Sequence, residues 1–454
     1  MTLSTKEFTS VLVALAVLLV AAHVCGRLFV RFRQPPVIGE ILGGLLLGPT
    51  LLGALLPGVE AAIFPSDGPV ASVLGAVYQL GLVLLMFSAG AEIRSVFHRG
   101  ERRTASAITA TGVLLPFVAG LLFVKLWDTK PLHGTAGTGP AFVLVFAAAI
   151  AVTSIPVISR IMLDLGILET SFARIVLAAA VIEDVVLYVI IAVALGLAAT
   201  TPADAFGLSH VLGFAPGSAA EMTYHTVITL LFFASFLAAG PPLYRLAVQS
   251  RYNAIHLSSP VAFQVLFMVL ATGAAAFLGI TPMFGAFLAG MVVGTSGPDA
   301  ERPRETIKTF SVAVFVPVYF AIVGLKLNLL NNFDPVFFLA FIVFACVAKA
   351  LSVYGGARMA GETPPASWNL AVAMNARGGP GIVLASVAFD AKIISESFYA
   401  VLVLLAILTS LAAGSWLHAI LARGRPLRPR AARLELAPDP APAGSPATAY
   451  SRHP

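Results

Sequence analysis

Ala151-Val152-Thr153-Ser154-Ile155-Pro156 interrupts the apolar run 141–162, and Asn375-Ala376-Arg377-Gly378-Gly379-Pro380-Gly381 interrupts another, 365–389. Each run is long enough to cross a hydrocarbon layer about 30 Å thick as a helix, yet neither can be an unbroken one. Pro156 has no N–H to give and is expected to crowd the carbonyl of Val152, while three glycines and a proline follow Arg377. Unwound backbone at membrane depth survives only where protein covers it or where it lines a cavity. Matching breaks in two halves of a chain point to a transporter's ion site.

Outward from these breaks the chain keeps the same character. It has 454 residues, 58% apolar and 11% charged, where a soluble domain carries roughly 25% charged residues. A water-soluble globule is excluded. Apolar runs between charged or Gly/Pro-rich breaks predict an all-α polytopic membrane protein of about thirteen spans, near 8–26, 37–56, 70–92, 104–127, 141–162, 172–199, 225–247, 261–280, 283–297, 307–327, 336–358, 365–389 and 396–421. The ninth is short enough to be partly re-entrant. The breaks lie seven spans apart, and an odd offset inverts the second copy. Residues 8–199 and 261–421 thus read as inverted six-helix repeats joined by a linker helix over 225–247, all within one transmembrane domain, 1–421. Arg, Pro and Ala dominate beyond it, which predicts a disordered cytoplasmic tail over 422–454.

Thirteen spans put the termini on opposite sides and sort the connections into two sets. One set, with the tail, holds twenty-one of the 28 Lys and Arg, from Arg27, Arg31 and Arg33 to Arg452; the other holds five, Lys6, Lys125, Lys130, Lys326 and Lys392. Positive loops stay in the cytoplasm, so the N-terminus is expected outside and the C-terminus inside. This topology accounts for the net charge of +6 with no call for nucleic acid. The first span is expected to be retained, because three arginines follow its apolar core where a cleaved signal peptide has positive charge ahead of it. Cys25 and Cys346 lie inside apolar runs, which excludes a disulfide scaffold or a thiolate metal cage. The histidines are expected to offer no helical pair with a carboxylate at metal-ligand spacing.

Four ionisable residues lie deep in the spans: Glu183, Asp184, Lys349 and Arg377. Burying each costs roughly 2.5–3.5 kcal/mol, so each marks function by default. Glu183 and Asp184 are adjacent, about 100° apart on a helix, and cannot share one partner equally. Lys349 is too deep to snorkel and needs an anion at its own depth. The acidic pair supplies the only carboxylates placed there. A structural ion pair alone would use Lys349 and one carboxylate and leave the other without a role. Gly39, Gly43, Gly44 and Gly48, and later Gly285, Gly290 and Gly294, permit close helix packing.

Together, residues 37–49 (VIGEILGGLLLGP), 153–160 (TSIPVISR), the acidic pair, 285–290 (GAFLAG) and 375–378 (NARG) resemble the cation:proton antiporter superfamily, particularly its second bacterial branch, over nearly all of residues 8–421. The resemblance implies a sodium/proton antiporter fold: a core domain with two crossing broken helices that moves against a dimerisation domain, in a homodimer in the cell's inner (plasma) membrane. It implies that Asp184 binds the cation and carries the proton, with Thr153, Ser154 and the broken backbone beside them adding oxygen ligands. Pro156, Asn375, Arg377 and Gly378 match the broken-helix positions. Glu183 matches a position held by aspartate in charge-moving sodium/proton antiporters, asparagine in electroneutral ones and glutamine in glutathione-gated potassium efflux systems. Lys349 matches the lysine that pairs with that acid when no cation is bound.

The implied function is exchange of a monovalent cation, Na⁺ first and K⁺ or Li⁺ as alternatives, for protons across the bilayer, in the service of pH homeostasis. An ionised carboxylate offers hard oxygen ligands to a small cation and a protonated one does not. One site then holds H⁺ or the cation, and alternating exposure of that site makes an antiporter without a cofactor. An enzyme is not expected, since neither a magnesium-chelating acid cluster at a cytoplasmic face nor a nucleophile and base within the spans is apparent. Two other transporters remain as alternatives: a sodium-coupled symporter of small organic solutes on a related fold, and a K⁺ efflux system lacking its nucleotide-binding domain.

Overall fold

The computed structural model describes residues 3–32, 34–92, 101–137, 139–168, 170–198, 207–214, 218–297, 300–330 and 333–428. Besides short helical turns, its helices are α1 (Thr5–Arg31), α2 (Pro36–Leu47), α3 (Gly68–Glu92), α4 (Arg102–Leu126), α5 (Gly139–Ala151), α6 (Ile155–Asp164), α7 (Ser171–Gly196), α8 (Ala219–Gln249), α9 (Pro260–Phe277), α10 (Pro282–Gly294), α11 (Glu301–Leu325, widened to a π-turn at Ser311–Phe315), α12 (Pro335–Met359), α13 (Pro364–Ala373), α14 (Gly378–Asp390) and α15 (Glu396–Ala422). Each apolar run expected to span contains helix among the described residues, the fifth and the twelfth in two pieces. Among the described residues ten helices are long and apolar enough to cross a membrane, or eleven if α13 and α14, bent by 40°, form one span. The ninth run is the short, almost wholly buried α10, 13 residues long.

The ends of these helices follow local chemistry. Ser4 and Glu7 close a capping box on α1, and Thr170 and Ser395 accept the first free N–H groups of α7 and α15. Proline opens α2, α9, α10, α12 and α13, where no N–H is needed.

Packing sorts the helices into two groups. Helices α1, α2, α3, α8, α9, α10 and α11 pack on one another, α4 to α7 and α12 to α15 pack on one another, and α7 runs beside α8 between them. In the first group glycines remove the side chain wherever backbones touch. Gly39 and Gly43 of α2 lie on Cys25 and Ala21 of α1, Gly44 and Gly48 on Ala321 and Leu325 of α11, and Gly290 and Gly294 of α10 on Phe87 and Ala91 of α3. With apolar lipid as the alternative, such close van der Waals contact holds helices together.

Three expectations need correcting. The chain is already out of helix at Val152, and Pro156 is the second residue of α6, where a missing N–H leaves no helical bond unmade. The break therefore precedes the proline. The segment 422–428, expected as the start of a disordered tail, ends α15 and then docks. Leu427 is buried, its carbonyl accepts from Asn369 Nδ2 at 3.0 Å, and Arg428 pairs with Glu362 at 2.7 Å. The rest of the expected tail, 429–454, lies outside the described residues. Glu221 and His225, four residues apart on α8 and 4.0 Å from each other, do form a helical acid–histidine pair. Among the described residues no third His, Cys, Asp or Glu joins such a pair in a group able to hold a metal.

Candidate functional site

The two breaks meet. The extended residues between α5 and α6 lie against those between α13 and α14: Ser154 N–H donates to Ala376 O at 2.6 Å, and the Thr153 hydroxyl donates to Met374 O at 2.7 Å. Ser154 Oγ in turn accepts the Gly379 N–H at 3.1 Å. Each stretch satisfies backbone groups that the other leaves open, as buried irregular backbone in a membrane must. Gly378 has φ of 22° and sits so close to Val157 and Ser154 that a Cβ would have no room.

Two buried cations cover the broken end of α5. Lys349 Nζ donates to Ala151 O at 2.6 Å, and the Arg377 guanidinium donates to Ile150 O at 3.1 Å, to Ala345 O at 2.8 Å and to Asn375 Oδ1 at 2.7 Å. Asn375 Nδ2 donates to Cys346 O at 3.0 Å, tying the second break to α12. Positive charge belongs where helix carbonyls point out unpaired. At the facing end of α14, N–H groups of Arg377 and Gly378 reach Thr409 Oγ1 at 3.3 Å and Ser410 Oγ at 3.2 Å.

The acidic pair stands on α7 beside this crossing, with Glu183 0% and Asp184 3% exposed. Lys349, also 0% exposed, meets Glu183 Oε2 at 2.9 Å and donates to Gly112 O at 2.8 Å as well. Glu183 Oε1 and Asp184 Oδ1 are buried without a hydrogen-bond partner. Two buried carboxylates on neighbouring residues offer hard oxygens of the kind that a small cation or a proton takes.

The structure thus gathers Glu183, Asp184, Lys349, Thr153, Ser154, Asn375, Arg377 and Gly378 at one locus, and the backbone of Pro156 opens the helix that leaves it. Both hydroxyls already have work: Thr153 donates across the crossing and Ser154 caps α14. Sequence reasoning missed three contributors. Gly112 supplies a carbonyl to Lys349, and a Cβ there would stand 2.8 Å from Glu183 Oε1. Thr409 and Ser410, adjacent hydroxyls within the last apolar run, were the only visible sign of the α14 cap. Apart from these three, Glu40 on α2 in the other helix group is also a buried carboxylate, 8% exposed with Oε2 unpartnered.

Over 420 residues the chain is 27% identical to the Na(+)/H(+) antiporter NhaS4 of Synechocystis, covering 90% of this chain and 96% of that one. It is 31% identical over 404 residues to K(+)/H(+) antiporter 1 of Saccharomyces cerevisiae, covering 85% of this chain and 44% of the yeast protein. The Na(+)/H(+)-K(+) antiporter GerN of Bacillus cereus is 24% identical, with 87% and 92% covered. The chain spans about half the length of several curated relatives. In fold it matches the sodium proton antiporter MjNhaP1 of Methanocaldococcus jannaschii with a TM-score of 0.63 at 16% identity, over 90% of this chain and 97% of the other. Since the family model described as "Sodium/hydrogen exchanger, transmembrane" matches residues 15–423, nearly the whole of the two helix groups, the chain belongs to the sodium/hydrogen exchanger family.

Proposed function

We propose that this chain is a secondary active antiporter that exchanges a monovalent cation, Na⁺ first, for protons at Asp184. The observation that carries the reading is the buried Asp184 with a free oxygen, next to a Glu183 whose other oxygen is held by Lys349. A cation entering between the two carboxylates competes with the proton on Asp184 and with the Lys349 ammonium for Glu183. Two carboxylates neutralised by one cation make the exchange move net charge. The names of similar proteins include both Na⁺ and K⁺ exchange, so K⁺ is the second substrate to test.

The same reading places the chain in the cell's inner membrane as a homodimer, with the arginine-rich end of the bundle in the cytoplasm. The crossing of the α5–α6 and α13–α14 breaks supports two inverted repeats, 8–199 and 261–421, within thirteen spans. Rocking of the α4–α7 and α12–α15 group against the other would expose the site to each side in turn. Proteoliposomes loaded with a pH dye test this: adding Na⁺, K⁺ and Li⁺ in turn should dissipate a preformed proton gradient for at least one cation. No response to any of the three, from correctly inserted protein, would reject antiport.

A further inference from the structure

The two helix groups meet along a seam whose ends differ. At the arginine-rich end a cleft of about 720 Å³ opens, with Val30, Phe32 and Gln34 on one wall and Ile161, Ser415 and His418 on the other. At the opposite end Asp390, the last residue of α14, is held by the other helix group on both oxygens. Oδ1 meets the Lys326 ammonium, just past α11, at 2.7 Å, and Oδ2 accepts the Tyr78 hydroxyl of α3 at 2.8 Å. Lys326 also stands 3.9 Å from the centroid of the Tyr78 ring, a cation–π contact. Alongside, Tyr399 of α15 donates to Val323 O of α11 at 2.8 Å. The ion pair and the two tyrosine hydrogen bonds cross from one group to the other. Behind them lie the buried Ser386, one turn earlier on α14, and Tyr319, whose ring stacks on Tyr78 at 5.0 Å.

We propose that Asp390, Lys326 and Tyr78 form a latch that keeps this end of the seam shut while the other end is open, and that it breaks when the core rocks and the cleft closes. The inference rests on the antiporter reading and on the arginine-rich end being cytoplasmic, which makes the latch an outer gate. Its strength suits a gate. Lys326 and Asp390 are 29% and 28% exposed, so water screens the pair and it opens far more readily than the fully buried Lys349–Glu183 pair.

Thiol accessibility tests this in a background with Cys25 and Cys346 replaced by alanine. S386C probes the space behind the latch and S415C the opposite cleft, each labelled in oriented sealed vesicles with a membrane-impermeant maleimide. With the latch intact, S386C should be silent from outside and S415C reactive from the cytoplasmic face. Lys326→Ala should raise outer labelling of S386C at least fivefold and lower that of S415C, Tyr78→Phe should do the same more weakly, and the exchanged pair K326D/D390K should restore both. Unchanged labelling in the Lys326→Ala protein at wild-type melting temperature overturns the latch. A rise that the exchanged pair does not reverse reports loosened packing and overturns it too. Proton exchange on the same vesicles separates the two claims, since labelling that obeys the latch without any exchange counts against the antiporter reading alone.

Discussion

A lysine ammonium has three protons to donate, and Lys349 uses all three, on Glu183, Gly112 O and Ala151 O. On the antiporter reading, a cation that drew Glu183 away would leave two carbonyls still holding the ammonium, so the salt bridge could open without stranding a bare charge. Removing one member outright is different. A buried charge left without its partner costs about 3–5 kcal/mol, so Lys349→Ala and Glu183→Gln should each lower the melting temperature, and the double substitution should recover part of the loss. Strictly additive losses in that double-substitution cycle would show that the two are not partners. Gly112→Ala should cut exchange at least tenfold, because its Cβ would crowd Glu183 Oε1 at 2.8 Å; wild-type exchange by that variant would mean Glu183 has room to spare. The charged residues of this site were legible in the sequence, since nothing else puts Glu183, Asp184 and Lys349 in apolar runs. Gly112 was not, because a carbonyl that accepts from a lysine 237 residues away leaves no mark on composition or spacing.

At the scale of elements, the breaks were legible because proline and glycine announce them, whereas the groups that close them were hidden. Thr409 and Ser410 return hydroxyl protons to Leu405 O at 2.8 Å and Ala406 O at 2.7 Å, as hydroxyls in membrane helices commonly do. Only the fold shows that their lone pairs also take N–H groups of α14. Ser410→Ala leaves the Gly378 N–H unmet and should destabilise the protein by about 1–3 kcal/mol, measured by thermal unfolding in detergent. An unchanged melting temperature would remove this cap from the account. The C-terminal segment divides by the same logic. Deleting 431–454 should leave transport intact, whereas deleting 423–454 strips Arg428 from Glu362, which is 3% exposed and also holds Thr104 at 3.0 Å. The longer deletion should lower the melting temperature in a purified, inserted protein, and equal stability of the two truncations would show that the docked strap contributes nothing.

For the whole molecule, the long uncharged apolar runs made an all-helical membrane protein legible, because the bilayer imposes such runs on any chain that crosses it as helices. The seam between the helix groups was beyond reach of the sequence: Tyr78 and Asp390 are 312 residues apart. Charge movement belongs to this scale. If Glu183 and Asp184 both face one cation, exchange should speed up or slow down with an imposed membrane potential, and Glu183→Gln should flatten that dependence while leaving exchange alive. Wild-type exchange indifferent to voltage would reject the two-carboxylate mechanism. The central claim is narrower, that Asp184 is the single group that alternately carries the proton and the cation. The most direct measurement is cation-driven proton flux in proteoliposomes containing the Asp184→Asn protein, beside wild type at equal insertion and melting temperature. The account predicts that flux falls to the level of protein-free liposomes for every cation, and retention of more than a few per cent of wild-type exchange would contradict it.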